Sequence, residues 1–193
     1  MINKVLKEYI DRFVAVFIDD IIVYSNSFEE HCGHLQMLFH KLRKANLALN
    51  KEKCEMFKRE LRFLGHKINE NGILPDPQKV EKVQDFPVPK NVRQIKGFLG
   101  LASYYRKFIK DFSKIAKPLN NLTKKGVEYD WTKECQNAFE TLKGRLTQAP
   151  ILGYPDFDKM FYLFTDASGI GLGAILTQKD DQEKEKVINC LCK

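Results

Sequence analysis

The run FVAVFIDDIIVYS, from Phe13 to Ser25, constrains the fold of this chain more than any other stretch. Two apolar segments, FVAVFI and IIVY, flank the adjacent carboxylates Asp19 and Asp20, which predicts a β-hairpin with the acids at its tip. Both segments are apolar at odd and even positions alike, so both faces of the hairpin are expected to be covered. Two ionised carboxylates about 4 Å apart repel by roughly 4 kcal/mol at an effective dielectric near 20. Either the pair only makes a tight turn, for which Asp is well suited, or a divalent cation offsets the repulsion. Pairs of metal ions held by carboxylates serve polymerases and nucleases in phosphoryl transfer.

The remaining sequence predicts an α+β order. Ile2, Val5, Leu6, Tyr9 and Ile10 recur at helical spacing ahead of the hairpin. Ser27 with Glu30 forms a capping box for a helix whose apolar stripe is Leu35, Leu38, Phe39 and Leu42. LRFLGHKI and ILP then predict a second hairpin joined across Asn69-Glu70-Asn71-Gly72. After Pro75 the pattern turns helical. Asp76 caps a helix with Pro77 at its first position, and Asn91 with Gln94 opens another carrying Ile95, Phe98, Leu99 and Ala102. A third helical stretch runs from about Ser113 to Lys125, and Thr132 precedes a helix with Cys135, Ala138, Phe139, Leu142 and Leu146 on one side. MFYLFTDAS and GLGAILTQ predict two strands around a Ser168-Gly169 turn, followed by the charged run KDDQEKEK.

Charge is unevenly placed. Between Lys90 and Lys125 ten Lys or Arg face one acid, Asp111, so this segment carries +9 of a total of +7 and the rest of the chain is −2. A positive segment on a near-neutral body fits a phosphate-backbone partner, and equally a solvated basic face. The apolar run Phe13 to Ile18 is far shorter than the roughly 20 residues of a membrane span, so no membrane partner is expected. The N-terminus MINKVLKEYIDR lacks the pattern of a secretory signal, which predicts an intracellular protein, cytoplasmic or nuclear. Five irregularly spaced cysteines predict free thiols, and His31, Cys32, His34 and His40 read as solvated helix residues rather than a zinc site.

Phe17-Ile18-Asp19-Asp20 inside an apolar hairpin resembles the Tyr-x-Asp-Asp motif of reverse transcriptases, with Phe17 in place of the usual Tyr. The resemblance continues in order. FLGHKI, Phe63 to Ile68, resembles the hairpin that grips the primer strand, and FLGLASYYRKFIKDFSKIAKPLNNL, Phe98 to Leu122, resembles the thumb of gypsy-type retrotransposon polymerases. WTKECQNAFETLK and FTDASGIGLGAIL resemble the segment that enters their ribonuclease H domain. The resemblance implies residues 1–75 as a partial palm, 76–125 as a basic helical thumb, and 126–193 as a connection helix with the first strands of a ribonuclease H-like domain.

It further implies an RNA-directed DNA polymerase using Mg²⁺, a template-primer duplex and deoxynucleoside triphosphates. Asp19 and Asp20 would be catalytic metal ligands, and Asp166 would be the first metal-binding carboxylate of ribonuclease H. Phe63, Leu64, Gly65, His66, Lys96, Gly97, Arg106, Lys107 and Lys110 would contact nucleic acid, mostly through the phosphate backbone. Taken by itself, Asp166 ends a strand pattern and begins a turn, and reads first as an ordinary structural residue there. Gly97 and Gly100 each cost about 1 kcal/mol relative to Ala in a helix, so close approach by a strand or by another helix is expected there.

In the family a third aspartate comes from an earlier strand, whereas Met1 falls at the helix just before the hairpin and Asp11 is out of place to substitute. Only 27 residues follow Asp166, too few for the further acidic residues of ribonuclease H, and INCLCK departs from the family pattern. A chain truncated at both ends and unable to polymerise alone is therefore expected. The alternatives are a non-catalytic nucleic-acid-binding remnant of a retroelement, or a chain that does not fold because its palm sheet lacks partner strands.

Overall fold

The computed structural model describes residues 2–168 and 171–192. The chain divides into two compact units, Met1–Phe57 and Lys58–Lys193.

In the first unit α1 (Ile2–Val5) is a single turn, and Leu6 to Phe13 continue in turns stitched by backbone bonds to Leu6 O and Tyr9 O. The predicted apolar positions still face inward. Leu6, Tyr9, Phe13 and Val14 pack with Leu38 and Leu42 into one small core. Strands β1 (Val14–Phe17) and β2 (Asp20–Val23) pair antiparallel, Val14 opposite Val23 and Phe17 opposite Asp20. Helix α2 (Phe28–Lys44) starts at Ser27, whose Oγ accepts the Glu30 N–H at 3.1 Å while Glu30 Oε2 accepts the Asn26 N–H at 2.7 Å. Phe39 departs from the predicted stripe: it is exposed, while Leu35, Leu38 and Leu42 of the same helix are buried.

The second unit begins with a three-stranded meander, β3 (Glu60–Phe63), β4 (His66–Asn69) and β5 (Gly72–Pro75). LRFLGHKI is thus two strands rather than one, folded at Leu64-Gly65, both of which have positive φ (+47° and +65°) as a two-residue hairpin turn requires. Helices α3 (Pro77–Gln84), α4 (Val92–Tyr104), α5 (Phe112–Leu122) and α6 (Lys133–Thr147) follow. Asp76, Asn91 and Thr132 cap α3, α4 and α6 by accepting N–H bonds from Gln78, Gln94 and Cys135.

One hydrophobic core joins these helices. Phe98 is fully buried, its ring 4.5 Å from Phe139 and 5.5 Å from Phe86. A third antiparallel sheet runs β6 (Tyr162–Ser168), β7 (Gly171–Lys179) and β8 (Glu185–Cys192). The charged run is shorter than expected, because its last residues and INCLC form β8 against β7. The predicted Ser168-Gly169 turn lies outside the described residues at Gly169.

Residue Leu152 ties two of these sheets together. Ile73 N–H donates to Leu152 O at 2.8 Å, Leu152 N–H returns to Ile73 O at 3.0 Å, and Gly153 N–H donates to Val187 O in β8 at 2.7 Å. The Tyr154 hydroxyl closes the strap on Asn69 O at 2.7 Å. Among the described residues no helix is long and apolar enough to cross a membrane.

Candidate functional site

The turn falls one residue earlier than predicted: it is Ile18-Asp19, because Asp20 pairs opposite Phe17 and opens β2. Ile18 has φ +55°, a conformation that costs a β-branched residue on the order of 1–3 kcal/mol, and it is 73 % exposed. Asp19 and Asp20 are exposed beside it. The expectation of a hairpin covered on both faces is therefore corrected. The sheet has two strands, β2 packs against α2, and Phe17 at the tip stands half in solvent because no element of this unit covers the other face. A strained tip that displays two hard oxygen donors suits Mg²⁺, which takes one or two carboxylates and fills its remaining positions with water or phosphate oxygens. Among the described residues no group of three or more His, Cys, Asp or Glu side chains is placed to hold a metal ion. His31 and His34 instead turn Nδ1 toward Ser25 Oγ, at 3.0 and 2.8 Å, and His34 stacks on Phe13 at 3.9 Å.

Asp166 lies within β6, opposite Gly173 of β7, and is exposed. It stands inside the strand rather than at its end, because pairing continues through Ala167–Leu172.

The helical unit gathers most of the other candidates. Phe63 ends β3, Leu64 and Gly65 form the turn, and His66 opens β4. Gly65 O accepts the Tyr105 hydroxyl at 2.6 Å, and Leu64 O accepts the Tyr104 hydroxyl. Leu64 O also lies 2.7 Å from His66 Nδ1, and since a carbonyl only accepts, the proton sits on Nδ1. His66 Nε2 is then a bare acceptor, buried and without a hydrogen-bond partner. The ring lies 5.5 Å from Tyr104, 5.7 Å from Tyr105 and 5.8 Å from Phe108. Burial pushes the His66 imidazole below its ordinary value, and the nearby Lys107 charge adds to that. Burial likewise lowers the Lys107 ammonium, which sits 5.2 Å from the Phe108 ring centre. The Tyr105 hydroxyl is pushed up to about 12, first by burial and then by Asp76, so it stays a donor.

Lys96 and Gly97 lie on the exposed side of α4, and Arg106 and Lys110 are exposed beyond its end. None of Lys96, Arg106, Lys107 and Lys110 forms an ion pair with a described residue. The aromatics between them divide: Phe98, Tyr105 and Phe108 are buried, while Tyr104 is half exposed. A Cβ at Gly100 would meet nothing within 4 Å, and one at Gly97 only Phe86 Cζ at 3.8 Å. Packing within this unit thus demands neither glycine. Sequence reading missed Tyr104 and Tyr105 as partners of the turn; the adjacency YY after an apolar stripe is a signal only once the hairpin is known to dock there.

The family described as reverse transcriptase (RNA-dependent DNA polymerase) matches residues 1–68, and the RNase H-like domain found in reverse transcriptase matches residues 131–193. The chain is 45 % identical to the retrovirus-related Pol polyprotein from transposon 297 of Drosophila melanogaster over 91 % of its own length. It is 40 % identical to the transposon Tf2-3 polyprotein of Schizosaccharomyces pombe over 95 %. It spans 17 % and 14 % of those two polyproteins. Among solved structures it resembles the foamy viral protease-reverse transcriptase in complex with double-stranded DNA (TM-score 0.84, 25 % identity, 99 % of this chain and 33 % of that one). The same viral protein in complex with an RNA/DNA hybrid matches at TM-score 0.82 and 25 % identity, over all of this chain and 26 % of the other. Residues 1–68 thus match the reverse transcriptase family and residues 131–193 the RNase H-like domain found in reverse transcriptase, and over nearly all its length the chain is similar to a segment of retrotransposon Pol polyproteins.

Proposed function

We propose that this chain is the palm, thumb and connection segment of an RNA-directed DNA polymerase from a gypsy-type retrotransposon, running into its ribonuclease H domain and acting inside the cell. The observation that carries the reading is the strained carboxylate tip. Ile18 holds a left-handed backbone and leaves Asp19 and Asp20 displayed to solvent, an arrangement that costs stability and persists at functional sites. Asp19 and Asp20 would hold Mg²⁺, which when bound stabilises the charge that develops as a primer 3′ hydroxyl displaces pyrophosphate from a deoxynucleoside triphosphate. Asp166 would serve ribonuclease H in the same manner.

Duplex binding falls to the second unit. Lys96, Arg106, Lys107 and Lys110 carry charge that no described carboxylate neutralises, and Gly97 with Gly100 leaves the α4 surface open beside them. Such a surface takes a template-primer duplex by its phosphates, without reading its sequence. The foamy viral structures in complex with double-stranded DNA and with an RNA/DNA hybrid support this choice of partner.

The test separates the two parts. Mn²⁺ binding is followed by electron paramagnetic resonance in the chain and in Asp19→Asn, with duplex affinity measured alongside. The proposal expects Asp19→Asn to release Mn²⁺ and to leave duplex affinity unchanged. Equal Mn²⁺ binding in both proteins would refute the metal site, and would favour a non-catalytic duplex-binding chain if the duplex still bound.

A further inference from the structure

The hairpin that ends in Asp19 and Asp20 is fastened at its other end by side chains that the metal reading does not use. Tyr24 N–H donates to Phe13 O at 3.0 Å and closes the root of the ladder, one residue beyond the Val14–Val23 pair. His34 of α2 meets both chains there. Its ring lies on the Phe13 ring, 3.9 Å away and 9° from parallel, and its Nδ1 stands 2.8 Å from Ser25 Oγ and 3.3 Å from Tyr24 O. A carbonyl only accepts, so the His34 proton sits on Nδ1 and Ser25 Oγ accepts from it. The Ser25 hydroxyl then donates to His31 Nδ1 at 3.0 Å.

The strained tip gives these contacts a task. A one-residue slip of β2, setting Phe17 opposite Ile21 instead of Asp20, would lengthen the turn and release the strain held at Ile18. The same slip would carry every β2 side chain to the other face and Asp20 out of the ladder. A two-stranded ladder has little of its own to oppose this, and β2 gives the core of the unit only the partly buried Ile21 and Val23. Phe13 belongs to the β1 side of the root, while Tyr24 O and Ser25 Oγ belong to the β2 side. One side chain, His34, therefore fixes the two sides against each other, by its ring on one and its donor on the other. The first turn of α2 steadies His34 in turn: Glu30 places Oε1 3.8 Å from His34 Nε2 and gives Oε2 to the Asn26 N–H.

We infer that His34 and Ser25 are positioning residues for the metal site: by fixing the register at the root of the hairpin, they hold Asp19 and Asp20 together at its tip for a divalent cation. The inference rests on the metal-binding role proposed above. Both residues lie at the opposite end of the hairpin from the carboxylates and act through the ladder. His31 serves as the acceptor that orients the Ser25 hydroxyl.

Mn²⁺ affinity is measured by electron paramagnetic resonance for the full chain and for Asp19→Asn, His34→Phe, His34→Asn and Ser25→Ala, with backbone amide exchange followed in the absence of metal. Phenylalanine keeps a ring on Phe13 and removes the donor, whereas asparagine keeps an N–H donor near the place of Nδ1 and removes the ring. His34→Phe and Ser25→Ala are each expected to bind Mn²⁺ about three- to tenfold more weakly, and His34→Asn to stay within about twofold of wild type. In the two weakened variants the amides of residues 14–23 should exchange about three- to tenfold faster, while those of α2 beyond its first turn exchange as in wild type. Wild-type Mn²⁺ affinity in both His34→Phe and Ser25→Ala overturns the inference alone. Equal losses in His34→Phe and His34→Asn, or faster exchange throughout α2, overturn it too, because the side chain then only supports the fold of the unit. Mn²⁺ binding that Asp19→Asn leaves unchanged removes the metal reading, and this inference with it.

Discussion

Gly72→Ala tests how the second unit is assembled. Gly72 has φ +140°, and a Cβ there would lie 2.2 Å from Leu152 O and 2.8 Å from Ile151 Cγ2. Neither the φ nor the contact can be met in place, because the obstructing atom is backbone. The strap must lift, and with it go the two bonds between Ile73 and Leu152, at 2.8 and 3.0 Å. Each such bond contributes about 0.5–1.5 kcal/mol net, and partial exposure of Leu152, now 1 % accessible, adds about 1–2 kcal/mol. With backbone strain the expected loss is about 3–5 kcal/mol. The assay is urea unfolding read from Trp131, the single tryptophan, whose indole N–H donates to Gln136 Oε1 and which packs on the core of this unit. Gly100→Ala is the matched control: its methyl meets nothing within 4 Å, and helix propensity should stabilise by up to about 1 kcal/mol. If Gly72→Ala unfolds within about 0.5 kcal/mol of wild type, an ordinary surface effect, the strap does not hold the sheets as described.

Three further predictions use the same unit. Phe98→Ala removes a fully buried ring set between Phe86 and Phe139, and should lower stability by about 3–5 kcal/mol in the same urea assay. His66 has its proton affinity depressed in the folded chain, so the unfolded chain takes up the proton first as pH falls. Stability is fully present above the ordinary histidine value near 6.5 and declines from there down to the lowered folded value; His66→Asn should flatten that part of a pH series of urea midpoints. Lys96→Ala and Lys110→Ala should each weaken duplex binding and make the slope of log K against log salt shallower by about 0.9, as measured by fluorescence anisotropy at several salt concentrations.

Local chemistry was the legible part of this chain. The caps Ser27, Asp76, Asn91 and Thr132 act within three residues of themselves, and each accepts the N–H its spacing predicts. The Asp19-Asp20 hairpin was equally readable, because apolar runs on both sides of a polar pair have few other solutions. Its covering was not, since whether a second face is packed depends on elements distant in sequence. The Leu64-Gly65 turn was hidden inside a stretch that reads as one strand, because nothing in LRFLGHKI signals that Leu64 accepts a positive φ. That conformation is held by Tyr104 and Tyr105, forty residues away, and such contacts leave no periodicity to read. Strand β8 was missed for a related reason: EKVINCLC begins in a charged run, and only pairing with β7 makes it a strand. The family resemblance filled part of the gap, since motif order along the chain carries information that propensity does not.

The basic helical surface of the second unit is proposed to hold a nucleic-acid duplex by its phosphates. Its most direct measurement is the affinity of the whole chain for a duplex of arbitrary sequence across a salt series. With Lys96, Arg106, Lys107 and Lys110 engaged, log K should fall linearly with log salt at a slope of about −3 to −4, and change little with sequence. Affinity that is absent at low salt, or that does not vary with salt, would contradict the account.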